Sequence, residues 1–231
     1  MNHHPLLAHL ISDCPDAKYS GFTHDGTFSQ YVTSFVQHVT PIPESLEPAG
    51  AASLLCAGVT TYKALKVSNT KVGDWVAIPG AGGGLGHLAV QYAVAMGLNV
   101  VAIDTGEAYQ KLVKSLGATA WVDFVKSGKD LVADILKVTG GLGPHAAIVC
   151  AANASAYPQA VDYLRPSGTL VVVGTPHAPL SASVFWIVLK SIRIQGTQVG
   201  NRQDAVEALA IAAAGKVRVV YEKKKMGDLK E

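Results

Sequence analysis

Charged residues are scarce in this sequence, and neither sign of charge prevails. Asp, Glu, Lys and Arg together make up 16% of the 231 residues, and the formal net charge is +2. Proteins that bind nucleic acid usually carry a clear excess of Lys and Arg on one surface. The composition therefore argues against a nucleic-acid partner, and the lysines at 223–225 are expected to form a solvated tail.

Long apolar segments are missing as well. The apolar stretch "VFWIVL" at 184–189 is far shorter than the about 20 residues that a membrane-spanning helix needs. The beginning, "MNHHPLLAHLISD", has no basic region followed by a long apolar one, as a secretory signal would. We therefore expect a cytoplasmic protein with no membrane partner.

Cysteines are few and far apart. The three cysteines, Cys14, Cys56 and Cys150, do not form the closely spaced set that a disulfide framework requires. This pattern excludes a small secreted disulfide scaffold and fits a reducing compartment.

What the sequence does contain is a regular alternation of strand-like and helix-like segments. Hydrophobic residues make up 49% of the chain, enough for a substantial core. Strand-like segments lie at 74–79, 99–104, 120–124, 146–151, 169–174 and 192–199, and segments with helical periodicity include 85–97 and 130–141. The alternation predicts an α/β fold, a doubly wound parallel sheet of six strands with helices on both faces.

The flanking regions differ in pattern from this middle part. Residues 26–46 alternate polar and apolar positions and end in proline-marked turns, which favours antiparallel strands. Residues 47–67 read as a helical connector. Beyond residue 200 we predict a helix that Gly215 ends, then a short strand and a charged tail.

A glycine-rich turn separates the first predicted strand from the first helix of the alternating region. Gly80, Gly83 and Gly86 are spaced three apart, with further glycines at 82 and 84, instead of the strict G-x-G-x-x-G spacing. Glycine lets the backbone turn sharply and lets a diphosphate approach the main-chain N–H groups at a helix N-terminus. The turn is therefore a candidate diphosphate site.

An acidic residue follows in the position that a dinucleotide requires. Asp104 ends the second predicted strand, eighteen residues after Gly86. A carboxylate there accepts hydrogen bonds from the adenosine ribose, each contributing about 1.5–3 kcal/mol, and repels a 2′-phosphate, which favours NAD over NADP. The alternative is that Asp104 only caps the turn that begins at Thr105. The order strand, glycine turn, helix, strand and acid favours dinucleotide binding.

Four segments carry a resemblance to a known family. "GAGGGLGHLAVQYAVAMG", "CAGVTTYKALK", "SGFTHDGTFSQY" and "VGNRQDAVEAL" resemble the zinc-dependent alcohol dehydrogenases of the medium-chain dehydrogenase/reductase superfamily, especially the fungal, yeast-type branch. The resemblance runs from about Cys14 to about Tyr221 and implies a chain truncated at both ends. It implies a remnant of a β-rich (GroES-like) catalytic domain with the connector helix over 1–66, an NAD-binding Rossmann domain over 67–200, and an incomplete C-terminal helix and return to the catalytic domain over 201–231.

The resemblance also assigns coenzyme contacts. It implies that the NAD diphosphate meets Gly83, Gly84 and Leu85 within the turn from Gly80 to Gly86, and that Asp104 holds the ribose. The positions expected to line the adenine and nicotinamide ends of the groove are Phe124, Val173, Thr175 and Val199. A lysine that helps to hold the ribose in the family falls at Tyr109 here, with Lys111 two residues further on.

Zinc is the point at which the sequence departs from the family. A catalytic zinc needs three protein ligands and an open position. The resemblance makes Cys56 the third catalytic ligand and Cys14 the last of four structural-zinc ligands, and the segments that would carry the other ligands are lacking. No complete catalytic set is therefore expected. Cys56 as a buried thiol is an equal alternative, and His3, His4 and His9 with Cys14 are a less favoured replacement metal site.

Three functions remain open at this stage. The first is hydride transfer between an alcohol and its aldehyde or ketone, with NAD as coenzyme and zinc as the Lewis acid of the full-length family. The second is a non-catalytic NAD-binding or oligomerisation module that forms a homo-oligomer through the edge strand near 192–199. The third is a zinc-independent enzyme of the quinone or enoyl reductase kind.

Overall fold

Six parallel strands form the centre of the protein. A computed structural model describes residues 16–228. The strand order in the sheet is β3-β2-β1-β4-β5-β6, and every neighbouring pair is parallel. The strands are β1 (Trp75–Pro79), β2 (Asn99–Asp104), β3 (Ala120–Asp123), β4 (Ala146–Val149), β5 (Thr169–Val172) and β6 (Arg193–Gly196). The doubly wound sheet predicted from the sequence is confirmed, and each strand lies within its predicted segment.

Helices cover both faces of this sheet. Their bounds are α1 (Pro48–Ser53), α2 (Val59–Val67), α3 (Gly86–Ala95), α4 (Glu107–Ser115), α5 (Phe124–Ser127), α6 (Leu131–Val138), α7 (Ala156–Tyr163), α8 (Val184–Leu189) and α9 (Arg202–Ala213). One turn of π-helix, Leu54–Gly58, joins α1 to α2. The predicted connector over 47–67 is therefore helical almost throughout.

The strands bury side chains on alternate faces, because successive side chains of a strand point to opposite sides. Val76 and Ile78 of β1 pack into the core that contains α2, α3 and α9, whereas Ala77 packs into the core that contains α6 and α7. A strand buried on both faces must be apolar at nearly every position. This requirement explains the continuous apolar runs in the sequence.

A cluster of charged side chains holds α9 against α2. Lys66 Nζ lies 2.8 Å from Asp204 Oδ1 and 2.7 Å from Glu207 Oε2, and the Tyr62 hydroxyl donates to Glu207 at 2.6 Å. Asp204 is buried and also forms a capping box with Asn201 at the start of α9. The hydrogen bond from Lys66, followed by the one from Tyr62, lowers the pKa of Glu207 to about 2. The Glu207 carboxylate therefore stays ionised at neutral pH and binds α9 to α2.

The segment after α9 returns across the molecule towards the beginning of α1. Gly215 has the positive φ of +74° that ends a helix, as predicted. Val217 is buried in the core beneath α3. Further on, Tyr221 donates a hydrogen bond to the Glu47 carboxylate, and Lys223 Nζ lies 2.5 Å from Glu47 Oε1. The carboxylate of Glu47, which also caps α1, therefore joins the two ends of the α/β body.

Two strand predictions are wrong in detail. Within the described residues, 26–46 contain no strand, only a 3₁₀ turn at Val36–His38 and a turn at 43–46, and the short strand predicted after Gly215 is an extended segment outside the sheet. A strand forms only where a partner completes its hydrogen bonds. The side chains of Phe22 and Tyr31 are 89% and 91% exposed, so no second layer covers this region among residues 16–228.

Helices long and apolar enough to cross a lipid bilayer are absent from residues 16–228.

Candidate coenzyme-binding site

The carboxyl ends of the strands meet at one edge of the parallel sheet. The chain leaves β1 through the glycine turn and leaves β2 at Asp104. Between β1 and β4 the strand order reverses, since β2 lies on one side of β1 and β4 on the other. Ligands of doubly wound sheets bind in the crevice outside the carboxyl ends at such a reversal. The fold therefore places the glycine turn and Asp104 at the expected ligand site.

Three glycines of the turn are required by close packing. Gly80 has φ +80°, and a Cβ there would lie 2.8 Å from the backbone nitrogen of Ala151, after β4. A Cβ on Gly82 would lie 2.3 Å from the ring of Tyr109, and one on Gly86 only 1.9 Å from the Gly80 carbonyl oxygen. Side chains of any size are therefore excluded at these positions.

The other two glycines border open space. A Cβ on Gly84 would meet nothing within 4 Å, and one on Gly83 would meet only the Gly80 carbonyl oxygen, at 3.4 Å. Neither the Gly84 nor the Leu85 amide has a hydrogen-bond partner in the described part of the chain. These amides lie at the N-terminus of α3, where the helix dipole favours an anion. The turn therefore offers unpaired donors to a diphosphate.

The Asp104 carboxylate is held in place by the backbone around it. Its Oδ2 accepts from the Gly82 amide at 2.8 Å, and its Oδ1 accepts from the Thr105 amide at 2.9 Å. A carboxylate can accept about four hydrogen bonds, so one site remains on each oxygen. Two free acceptors side by side suit the vicinal hydroxyls of a ribose. The turn-capping role and the ribose-binding role of Asp104 are thus compatible.

No lysine side chain assists the carboxylate at the position where the family has one. Tyr109, at that position in α4, lays its ring against Gly82 and is 45% exposed. Lys111 points its Nζ at Glu107, 2.6 Å away on the helix surface. The neighbour of Gly82, whose amide donates to Asp104, is therefore the aromatic ring of Tyr109.

The remaining predicted groove residues share the same edge of the sheet. Phe124 begins α5 directly after β3, Val173 and Thr175 follow β5, and Val199 follows β6. Val173 is buried, whereas Thr175 is exposed. Val199 has φ +44°, a left-handed conformation that costs a β-branched residue about 1–3 kcal/mol. Such strain is typical of a segment held in place for function.

Sequence reasoning missed two residues that shape the site. Asp123, at the end of β3, accepts from the Thr105 hydroxyl at 2.9 Å and caps α5, which ties the loops after β2 and β3 together. His87, in the first turn of α3, bonds the Gly83 carbonyl. Asp123 could have been predicted as a site residue by the same pattern as Asp104, an acidic residue at the end of a strand. No comparable pattern in the sequence marks His87.

Comparison with known proteins decides the family. A family model described as "Zinc-binding dehydrogenase" matches residues 84–214, more than half of the chain and the part that contains most of this site.

The chain belongs to the zinc-binding dehydrogenase family.

Curated relatives of this zinc-binding dehydrogenase carry a more specific name. The chain is 46% identical to an "Alcohol dehydrogenase" of Schizosaccharomyces pombe over 209 residues and 50% identical to "Alcohol dehydrogenase 1" of Neurospora crassa over 208 residues. The alignments cover 90% and 89% of this chain but 59% of each relative. The chain thus spans about three fifths of the length of the curated relatives it matches.

A solved structure agrees with this result. The alcohol dehydrogenase from the hyperthermophilic archaeon Aeropyrum pernix superposes with a TM-score of 0.83 at 28% sequence identity. The superposition covers 93% of this chain and 63% of that one. The resemblance stated from the sequence motifs is confirmed.

The zinc that gives the family its name does not fit the residues described. Cys56 lies exposed in the π-helical turn, and residues 16–228 contain no group of three His, Cys, Asp or Glu side chains able to hold a metal. Cys150 is half-buried after β4, and burial raises the pKa of its thiol to about 12, so it is not a thiolate at neutral pH. Cys14, His3, His4 and His9 lie outside the described residues. Of the two cysteines that the resemblance assigns to zinc, only Cys56 lies within the described residues. No other zinc ligands lie beside it there.

Proposed function

We propose that this zinc-binding dehydrogenase is an NAD-dependent oxidoreductase of the alcohol dehydrogenase type, whose described residues form the coenzyme-binding part. The substrates would be a small alcohol and its aldehyde or ketone. The observation that carries the proposal is the pairing of the glycine turn with the Asp104 carboxylate, 2.8 Å from the Gly82 amide, at the reversal point of the sheet. The alcohol dehydrogenase relatives provide the reaction class.

In this proposal NAD would bind in a definite orientation. Because Asp104 ends β2, the adenosine half would lie over β2 and β3, next to Phe124. The diphosphate would cross the turn at the Gly84 and Leu85 amides, and the nicotinamide half would lie over β4, β5 and β6. When bound, NAD supplies the acceptor for the hydride that leaves the alcohol carbon. Val173, Thr175 and Val199 would form the wall on that side, which keeps the nicotinamide half in place.

The domain assignment and the metal ligands belong to the same proposal. We assign 1–66 to a partial catalytic domain with the connector helix, 67–200 to the coenzyme domain, and 201–231 to the return segment. Cys56 and Cys14 would each supply one ligand to a different zinc site of a full-length family member. Residues 16–228 do not assemble either site.

One set of measurements separates the candidate functions. The purified chain is titrated with NADH and with NADPH by fluorescence, its zinc content is measured, and NADH formation from ethanol and longer alcohols is followed. NADH binding in preference to NADPH supports the coenzyme site. Alcohol turnover with stoichiometric zinc would indicate in addition that the chain is an active enzyme. NADH binding without zinc or turnover would indicate a coenzyme-binding module. Absence of NADH binding would overturn the proposal, and metal-free quinone reduction with NADPH would favour the reductase alternative.

An apolar surface at the edge of the sheet favours self-association as a second role. All four residues of the edge strand β6 are exposed, and the neighbouring α8 exposes large apolar side chains. These are Val184, Phe185, Trp186, Val188 and Leu189, with exposures between 41% and 72%. Edge strands and apolar patches of this kind pair with other chains. We therefore propose a homo-oligomer through 192–199.

Replacing Ile194 with lysine is expected to weaken this association. Ile194 lies in β6 and is 39% exposed, so a lysine is tolerated in the monomer but places a charge in the interface. Sedimentation velocity over a range of concentrations should show a smaller average mass for I194K than for the unchanged chain. NADH affinity should stay the same, because Ile194 lies near the amino end of β6, whereas the proposed coenzyme site lies at the carboxyl ends of the strands. A monomeric unchanged chain at all concentrations would contradict the proposal.

A further inference from the structure

His87 contacts two distant parts of the chain from a buried position. It is only 5% exposed, its Nδ1 lies 3.0 Å from the Gly83 carbonyl oxygen, and its Nε2 lies 3.3 Å from the Val220 amide nitrogen. A carbonyl oxygen only accepts and an amide N–H only donates. These partners therefore select the tautomer with the proton on Nδ1 and the lone pair on Nε2.

The bond to Gly83 fixes the orientation of one peptide plane. The Gly83 carbonyl accepts from the His87 ring at 3.0 Å and from the His87 amide at 3.0 Å. In a trans peptide the carbonyl and the following N–H point in opposite directions. Holding the Gly83 oxygen against α3 therefore turns the Gly84 N–H away from the helix, towards the open side of the turn. Two successive glycines have little conformational preference of their own, so the two bonds that the Gly83 oxygen accepts from His87, one from the main chain and one from the ring, decide this orientation.

The ring of His87 is held in turn by the segment that returns after α9. One helical turn further on, the Gln91 side chain donates to the Arg218 carbonyl and accepts from the Arg218 amide, both at 2.9 Å. Val217, next to this pair, is buried in the core. The segment 217–220 is therefore fixed along α3 independently of His87, and its Val220 amide presents a stationary donor to Nε2.

We infer that His87 is a positioning residue of the diphosphate turn: its Nδ1–H orients the Gly83–Gly84 peptide so that the Gly84 N–H faces the diphosphate. This inference rests on the coenzyme site proposed above and adds a residue to it. His87 does not touch the coenzyme itself. Its effect is therefore confined to the diphosphate and does not extend to the adenosine contacts of Asp104.

Three substitutions of His87 separate its two bonds. H87L removes both. H87N keeps an N–H donor close to the place of Nδ1 and loses the acceptor for Val220, whereas H87Q reaches the place of Nε2 and loses the donor to Gly83. We expect H87L and H87Q to bind ADP and NADH about tenfold more weakly, the loss typical of one well-placed hydrogen bond. H87N should bind both within about twofold of the unchanged chain. Adenosine affinity, measured by competition and by ligand-observed NMR, should be unchanged in all three.

Gln91 provides the matched control for a merely structural role. Q91L removes both bonds to Arg218 and the bond from the Gln91 side-chain amide to the His87 main-chain carbonyl, but it leaves the bond from the His87 ring to Gly83. It should therefore lower the melting temperature and keep the ratio of ADP to adenosine affinity. The inference is overturned if H87L weakens adenosine as much as ADP, if H87N is as weak as H87Q, or if Q91L lowers the ratio equally. Should H87L fail to fold, H87N and H87Q still give opposite expectations. An unchanged chain that binds neither ADP nor NADH would instead overturn the coenzyme site itself.

Discussion

Replacing Gly86 with alanine is expected to destabilise the protein severely, beyond any effect on ligand binding. The new Cβ would lie 1.9 Å from the Gly80 carbonyl oxygen, 2.6 Å from the Ala81 Cα and 2.7 Å from the Ala81 carbonyl carbon. All three are backbone atoms, which cannot rotate aside as the end of a side chain can. Relief requires α3 to move away from β1 and to open the core between them. We expect a loss of about 4 kcal/mol or more in the free energy of unfolding, at the upper end for single substitutions.

Chemical denaturation followed by circular dichroism measures this loss, and Gly84→Ala is the control. Gly84 lies two residues away in the same turn, has no positive φ, and a Cβ there meets nothing within 4 Å. The control should unfold within about 0.5 kcal/mol of the unchanged chain, as surface substitutions usually do. Equal midpoints for G86A and G84A would mean that the close approach of α3 to β1 is not required for the fold.

Asp104→Asn is expected to remove most of the affinity for NADH while leaving the sheet intact. Both oxygens of the carboxylate accept from backbone amides, Gly82 and Thr105, and an asparagine can offer only one oxygen. Its NH₂ group would face either a backbone N–H or a ribose hydroxyl, and the charge that strengthens each bond is lost. Bonds to charged groups contribute about 1.5–3 kcal/mol, so we expect NADH to bind roughly 10- to 100-fold more weakly.

Fluorescence titration with NADH and NADPH tests this expectation. Because the charge that repels a 2′-phosphate is also gone, the preference for NADH over NADPH should shrink together with the NADH affinity. Asp162→Asn is the matched control, since Asp162 is an exposed residue near the end of α7 and lies outside the coenzyme groove. D162N should bind NADH like the unchanged chain. If D104N retains full affinity and full preference for NADH, the carboxylate does not hold the ribose.

The sheet could be predicted from the sequence because its strands are buried on both faces. In the run 99–104, residues 100–103 are all apolar and buried and lie between the polar residues Asn99 and Asp104, so both ends of the strand are visible in the sequence. The strands predicted for 26–46 did not form, because alternation shows which face a strand would bury but not whether a partner is present. A local pattern therefore predicts a strand well when the residues are apolar at every position, as in a strand buried on both faces. It predicts a strand poorly when the residues only alternate between polar and apolar.

The residues proposed to contact the coenzyme could be predicted from the sequence, but the residues that hold them in position could not. The glycines and Asp104 are close in sequence and follow a rule of spacing. By contrast, His87 meets Val220 across 133 positions of sequence, and the ring of Tyr109 meets Gly82 only because α4 packs beside the turn. Contacts of this kind depend on the assembled core. They leave no local pattern by which single-sequence reasoning could find them.

The contacts of Glu47 with Tyr221 and Lys223 hold the first and the last residues of the α/β body next to each other. Polypeptide attached before residue 47 and after residue 223 therefore joins the body at one place instead of at opposite poles. A domain carried on both flanks would therefore be connected to the body at a single junction, away from the strands of the sheet. This arrangement also makes the body exchangeable as one unit, because the two points at which it would be cut out, although far apart in the gene, are neighbours in the structure.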